Sequence, residues 1–289
     1  MLRILISIIA AIVLTACAEK NQQPTKIVSA DQLATVLVAQ PEDIKARYAF
    51  RNPQQTIEFF GIEPGMTVVE ALPGGGWYSK ILVPYLGEKG TLIGVDYAQA
   101  MWPKFGFFSD QQIEEKKTWV NTWTEKANSW HDQDGATVKA YVFGSMPDEF
   151  TGTADAVLFI RALHNLNRFE NDGGFLTTAL SNTYQVLKPG GIVGIVQHSA
   201  PSELPDKWAD GSKGYLKETF LIAKMKEAGF ELVDSSDINA NPKDQPTDQD
   251  IVWRLPPSLA TSRDNPELKA QMQAIGESNR MTLKFRKPK

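Results

Sequence analysis

The chain has 289 residues, 42% of them hydrophobic and 10% aromatic, enough to bury a sizeable core in one or two domains; one elaborated domain is the simpler expectation. Its formal net charge of -4 gives no broad positive field, which argues against nucleic acid or an anionic bilayer surface as primary partner and favours a small-molecule substrate.

Met1-Leu2-Arg3 carries a positive charge, and residues 4–13 form an apolar run broken only by Ser7, too short for a stable span. Leu14-Thr15-Ala16-Cys17 follows and resembles the lipobox of bacterial lipoproteins, where small residues admit the peptidase and the thiol receives the lipid. That resemblance implies a signal peptide over residues 1–16 and lipidation of Cys17, which anchors the chain in the bacterial cell envelope. With Ala18 rather than Asp after Cys17, the implied location is the outer membrane, facing the periplasm. Cys17 is the sole cysteine, so the core must stabilise the fold without a disulfide.

Residues 17–28, polar and containing Gln22-Gln23-Pro24, read as a disordered tether, and residues 29–289 as a single domain. Within it, residues 29–60 predict a helical cap interrupted at Pro41, with Asn52-Pro53 as N-cap and first turn of a helix ending at Gly61. Strands at residues 67–71, 91–97, 138–143, 154–160 and 191–197 alternate with helices at 75–86, 174–187 and 215–228, which implies a parallel sheet. Trp119 and Trp123, four apart, share a helix face and are expected to pack on the sheet. Residues 239–280 are rich in Pro, Asp and Gln and read as an inserted lid or surface loop before a last strand at 281–286.

Gly74-Gly75-Gly76 stands between the first strand and its helix, where only glycine lets backbone approach a ligand closely and helix N–H groups lie free. Asp96 ends the second strand twenty residues past Gly76, placed to take ribose hydroxyls. Ligands in open α/β sheets bind beyond the carboxyl ends of the strands, which singles out Arg161, His164 and Asn165 after the fourth strand and His198 after the fifth. Of these, His164 is the preferred general base, with Arg161 as a substrate-holding cation and His198 as a third candidate. Each has a structural alternative: a histidine bonded to backbone at a strand end, or an arginine holding a neighbouring C-terminus. No zinc pattern is present, since His131, His164 and His198 lack ligand spacing.

Pro64-Gly65-Met66-Thr67-Val68-Val69-Glu70 and Pro73-Gly74-Gly75-Gly76-Trp77-Tyr78, with Leu187-Lys188-Pro189-Gly190-Gly191 and Ala228-Gly229-Phe230, resemble the class I S-adenosylmethionine-dependent methyltransferases. More closely, they resemble a family of predicted bacterial envelope methyltransferases, over about residues 51–288. The resemblance implies a Rossmann-like class I methyltransferase fold: a mostly parallel seven-stranded sheet with an antiparallel last strand and helices on both faces. It implies S-adenosyl-L-methionine as cofactor, with Glu70, Gly74, Gly75 and Gly76 beside its methionine and ribose, Asp96 on the ribose hydroxyls and Ser145 near the adenine. Two residues depart from the common pattern: Leu72 replaces the first motif glycine, and Ser145 a frequent Asp.

Two rival readings accompany this one. Tyr184 and Lys188 have the spacing of a nicotinamide-dependent oxidoreductase, although on a helix that four-residue spacing only marks a shared face. The other rival is a non-catalytic envelope protein that keeps the fold.

Overall fold

The computed structural model describes residues 23–130 and 134–289, with side chains from residue 29 onward; Cys17, His131 and the expected signal peptide lie outside the described residues. The strands are β1 (Thr67–Ala71), β2 (Thr91–Asp96), β3 (Thr137–Val142), β4 (Ala154–Ile160), β5 (Leu187–His198), β6 (Glu231–Ser236) and β7 (Arg280–Arg286). They form one seven-stranded sheet in the order β3-β2-β1-β4-β5-β7-β6. Strands β1 to β5 pair in parallel, while β7 runs antiparallel between β5 and β6, giving the sheet that the methyltransferase resemblance implies.

Helices cover both faces: α1 (Gln23–Ala39), α2 (Glu42–Lys45), α3 (Tyr48–Arg51), α4 (Pro53–Phe60), α5 (Ser79–Leu86), α6 (Asp110–Lys116), α7 (Trp119–Asn128), α8 (Leu163–Arg168), α9 (Glu170–Gly173), α10 (Phe175–Val186), α11 (Glu218–Glu227) and α12 (Pro266–Ile275). Along β1 successive side chains point to opposite faces. Val68 packs with Leu33, Ile57, Phe60, Leu82 and Trp123 from α1, α4, α5 and α7. Val69 and Ala71 pack with Leu163, Leu176, Leu180 and Leu221 from α8, α10 and α11. Both sides being covered explains why β4 reads as a continuous apolar run, and each fully buried Leu or Ile contributes about 1.5–3 kcal/mol.

Trp119 and Trp123 stack 5.4 Å apart on α7, as expected for packing. The Trp123 ring lies against the Cα of Gly94 in β2, where a Cβ would meet it at 2.6 Å.

Several local expectations change, among them the fifth strand, which runs Leu187–His198 where 191–197 was expected, and α11, which starts at Glu218 rather than Tyr215. Helix α1 begins at Gln23, so residues 23–28 are helical where a tether was expected; Pro24 falls in the first turn, where its missing N–H costs no helical hydrogen bond. Asn52 precedes α4 in a left-handed conformation, but its side chain makes no cap and instead donates to the Ile238 carbonyl at 2.7 Å. Helix α5 starts at Ser79, because the glycine turn extends to Tyr78 before helical bonding begins.

The inserted segment is bound to the body at its base. Buried Asn239 donates to Thr56 Oγ1 at 3.0 Å and to Thr282 Oγ1 at 3.1 Å. Buried Asp244 accepts from Tyr215 at 3.0 Å, from Arg254 at 2.8 Å and from the Asn279 N–H at 2.9 Å. Among the described residues no helix is long and apolar enough to cross a membrane.

Candidate functional site

The strand order reverses between β1 and β4, and a cavity of about 600 Å³ opens there at the carboxyl ends of the strands. Leu72, Gly74 and Gly75 line it after β1, Arg161, His164 and Asn165 after β4, and His198 at the end of β5. The cap adds Arg47 and Arg51, and the insertion adds Trp253, Leu255 and Glu277.

Both strand ends facing the cavity turn sharply. Leu72 adopts φ +54° and Arg161 φ +59°, left-handed conformations that cost a residue with a Cβ about 1–2 kcal/mol. The leucine at the first motif-glycine position thus keeps the conformation that glycine would take freely. Each bend is pinned to the neighbouring strand: the Leu72 N–H donates to Val95 at 2.7 Å and the Arg161 N–H to Val196 at 2.6 Å.

The glycines divide by role. A Cβ at Gly75 would meet nothing within 4 Å, so its backbone faces open space beside the cavity. A Cβ at Gly76 would meet the Trp130 ring at 2.2 Å, so Gly76 serves the packing of that ring and does not line the cavity.

Glu70 is buried beneath the turn and accepts from Ser79 Oγ at 2.5 Å. Burial lifts its carboxyl from 4.5 to about 7, against the opposing influence of Ser79 and Arg161. Asp96, 7% exposed at the end of β2, is lifted by burial to about 6, opposed by the Tyr97 backbone and Lys116. Asp96 stands outside the cavity lining, but Asn165, which lines it, donates to Tyr97 Oη at 2.8 Å, joining the β2 end to the β4 end. Ser145, on an exposed turn beyond β3, does not line the cavity.

The two histidines share the cavity, with ring centroids 5.4 Å apart. His164 is 5% exposed at the start of α8, with the Gln197 amide oxygen 3.5 Å from Nδ1. Burial pushes its imidazole down to about 4; the Gln197 contact opposes this, while Arg161 and Arg168 add to it. The ring is therefore neutral at pH 7. His198 pairs through Nδ1 with Ser278 Oγ at 2.5 Å and is likewise held well below the ordinary histidine range, by burial and then by His164 and the arginines.

The largest feature missed in the sequence is a cluster around Glu277. This buried carboxylate receives Arg47 Nε at 2.8 Å, Arg51 Nε at 3.3 Å, Arg161 Nη1 at 3.4 Å and Arg280 Nη1 at 3.3 Å. Burial alone would raise the Glu277 carboxyl, but the arginines hold it below the ordinary range. Arg51 also lies over the Trp77 ring, its guanidinium carbon 4.4 Å from the centroid. The local signs of this cluster are the four-residue spacing of Arg47 and Arg51 and the three-residue spacing of Glu277 and Arg280; Glu277 lies 226 residues further along the chain than Arg51.

Tyr184 packs on Phe230, and Lys188 pairs with Asp155 at 2.5 Å, and neither lines the cavity. Among the described residues no group of three or more His, Cys, Asp or Glu side chains is placed to hold a metal ion.

No family model and no curated protein matches this chain. Among solved structures, it is similar in fold to a SAM-dependent methyltransferase from Aquifex aeolicus, with 19% identity and a TM-score of 0.47 over 69% of this chain and 93% of that one. It is also similar to the [4+2]-cyclase SpnF, with 16% identity and a TM-score of 0.49 over 91% and 96% of the two chains. A third similar structure is geranyl diphosphate C-methyltransferase from Streptomyces coelicolor, with 14% identity and a TM-score of 0.48 over 82% and 77%.

Proposed function

We propose that this chain transfers a methyl group from S-adenosylmethionine to a small-molecule acceptor. The observation that carries the reading is the open Gly74–Gly75 backbone walling a cavity at the switch point; the buried Asp96 carboxylate lies outside that lining, at the end of the adjacent strand, next to Tyr97, which Asn165 of the cavity wall contacts. These groups suit the cofactor: the turn offers backbone free of side chains, and Asp96 offers a carboxylate for a diol.

When bound, the cofactor supplies an electrophilic methyl on a sulfonium. The protein's share is mainly positioning, and effective molarities for well-oriented reactants of about 10⁵ M or more make that share large. Gly74 and Gly75 would border the methionine portion, Asp96 would hold the ribose hydroxyls, and Asn165 couples the two strand ends through Tyr97. His164 stays neutral and is available to accept a proton from an oxygen or nitrogen nucleophile.

A binding protein that keeps the fold without the reaction is the second reading, and the strong suppression of His164 basicity favours it. Calorimetric titration of the purified full-length chain with S-adenosylmethionine, S-adenosylhomocysteine and NADH tests both enzyme readings. Binding of the first two alone supports the methyltransferase; binding of none contradicts it. Product S-adenosylhomocysteine formed in the presence of acceptor then separates enzyme from binding protein.

We also infer from Leu14-Thr15-Ala16-Cys17 that Cys17 carries lipid and holds the domain to the cell envelope. Mass spectrometry of the chain from a bacterial membrane fraction should find acyl mass on Cys17, lost in Cys17→Ala; an unmodified Cys17 in a chain that retains residues 1–16 contradicts it.

A further inference from the structure

Four guanidinium groups, from Arg47, Arg51, Arg161 and Arg280, meet one carboxylate, Glu277, beside the cavity. Three positive charges are left uncompensated within the cluster, and Lys80 on the cavity wall adds another cation against Asp43. Buried like charges of this kind are costly without an acceptor, because their hydration is lost and their repulsion is poorly screened. Burial and the neighbouring Arg161 charge accordingly pull Arg51 down to about 9, and burial pulls Arg161 down to about 10 despite Glu277.

The donors are incompletely used. Arg51, 3% exposed, has its Nη1 buried with no hydrogen-bond partner among the described residues, and Arg161 has its Nε in the same condition. Arg47, Arg51 and Arg161 all line the cavity, and the side chains of Arg47 and Arg161 are 24% and 23% exposed. The two unpartnered nitrogens are themselves enclosed by protein; the partly exposed guanidinium groups of Arg47 and Arg161, with buried Arg51 behind them on the same cavity wall, offer forked donors that suit a carboxylate or phosphate group.

We propose that the cavity binds a small oxyanionic ligand, a carboxylate or phosphate compound, through Arg47, Arg51 and Arg161; resting on the methyltransferase reading, that ligand is the methyl acceptor. The cofactor's own carboxylate does not meet the charge requirement. S-adenosylmethionine carries a sulfonium and an ammonium besides its single carboxylate, so seating it adds net positive charge beside the cluster. An anionic acceptor supplies the missing negative charge and places its nucleophile near His164 and His198, which share the cavity.

The test is calorimetric titration of the full-length chain with inorganic phosphate and with succinate, before and after saturation with S-adenosylhomocysteine. At least one anion should bind the saturated protein with affinity unchanged within threefold, and Arg161→Gln should weaken it tenfold or more while sparing S-adenosylhomocysteine. Arg47→Gln, at a more exposed position, should repeat the loss if Arg161→Gln fails to fold. Competition between anion and S-adenosylhomocysteine would overturn the proposal by assigning the arginines to the cofactor's carboxylate. Absence of anion binding, or binding indifferent to both substitutions, would overturn it as well. Anion binding without any S-adenosylhomocysteine binding would leave the oxyanion site standing and remove the methyltransferase reading.

Discussion

Replacing Glu70, buried beneath the glycine turn, by Gln should stabilise the protein at alkaline pH. Glu70 is 3% exposed, and burial lifts its carboxyl from 4.5 to about 7. The native state therefore binds the proton more tightly than the unfolded chain, and ionisation draws stability away from the fold. Stability due to this group is complete below pH 4.5 and lost as pH rises through about 7. Moving a carboxyl from 4.5 to about 7, at about 1.4 kcal/mol per pH unit, gives a loss of about 3 kcal/mol by pH 8. Glutamine keeps an acceptor for Ser79 Oγ and cannot ionise, so any constant effect of the amide cancels when the comparison is made across pH. Urea unfolding of wild type and Glu70→Gln from pH 4.5 to 8.5 reads the difference directly. The free-energy gap should grow in favour of the variant by about 3 kcal/mol over that range. A gap that stays constant would refute the assignment of a buried, proton-retaining carboxyl beneath the glycine turn.

Gly76→Ala should destabilise the fold by about 2–4 kcal/mol, since it combines φ +75° with a Cβ 2.2 Å from the Trp130 ring; adding Trp130→Ala should cost less than the sum of the two. Strict additivity in chemical unfolding would show that the ring does not fill that space. His164→Ala should lower turnover on the order of 10²-fold and leave S-adenosylhomocysteine affinity unchanged, whereas unchanged turnover would reject His164 as the base. Because burial holds His164 down to about 4, the basic form persists above that value and activity attributable to it should be flat from pH 6 to 8, falling only towards pH 4. An NMR titration of the His164 ring with its midpoint near pH 6.5 would contradict that environment; turnover alone also reports Asp96 and Glu70, which burial raises to about 6 and about 7.

The sheet was legible because its signals are local. Strands at 67–71 and 154–160 are bounded by turn residues and filled by apolar side chains, and the structure has β1 and β4 over the same residues. The glycine turn was legible in position but not in division of labour, since Gly75 faces open space while Gly76 is covered by a tryptophan 54 residues further along. Asn52 illustrates a local rule overridden by tertiary contact: a good N-cap residue spends its amide on Ile238 instead. The charged half of the site had almost no sequence signature. Arg47 and Arg51 sit in a cap read only for its apolar spacing, and Glu277 in an insertion without periodicity; their meeting depends on the whole sheet being assembled between them. Leu72 shows the reverse case, where a residue with a Cβ holds a left-handed conformation that ordinarily favours glycine.

A crystal structure of the full-length chain grown with S-adenosylhomocysteine would show whether the cofactor occupies the switch-point cavity. The ligand is expected beside the Gly74–Gly75 turn with its ribose hydroxyls on the Asp96 carboxylate, and calorimetric binding should be lost in a folded Asp96→Asn variant. Ligand bound elsewhere, or binding that survives Asp96→Asn undiminished, would contradict that placement.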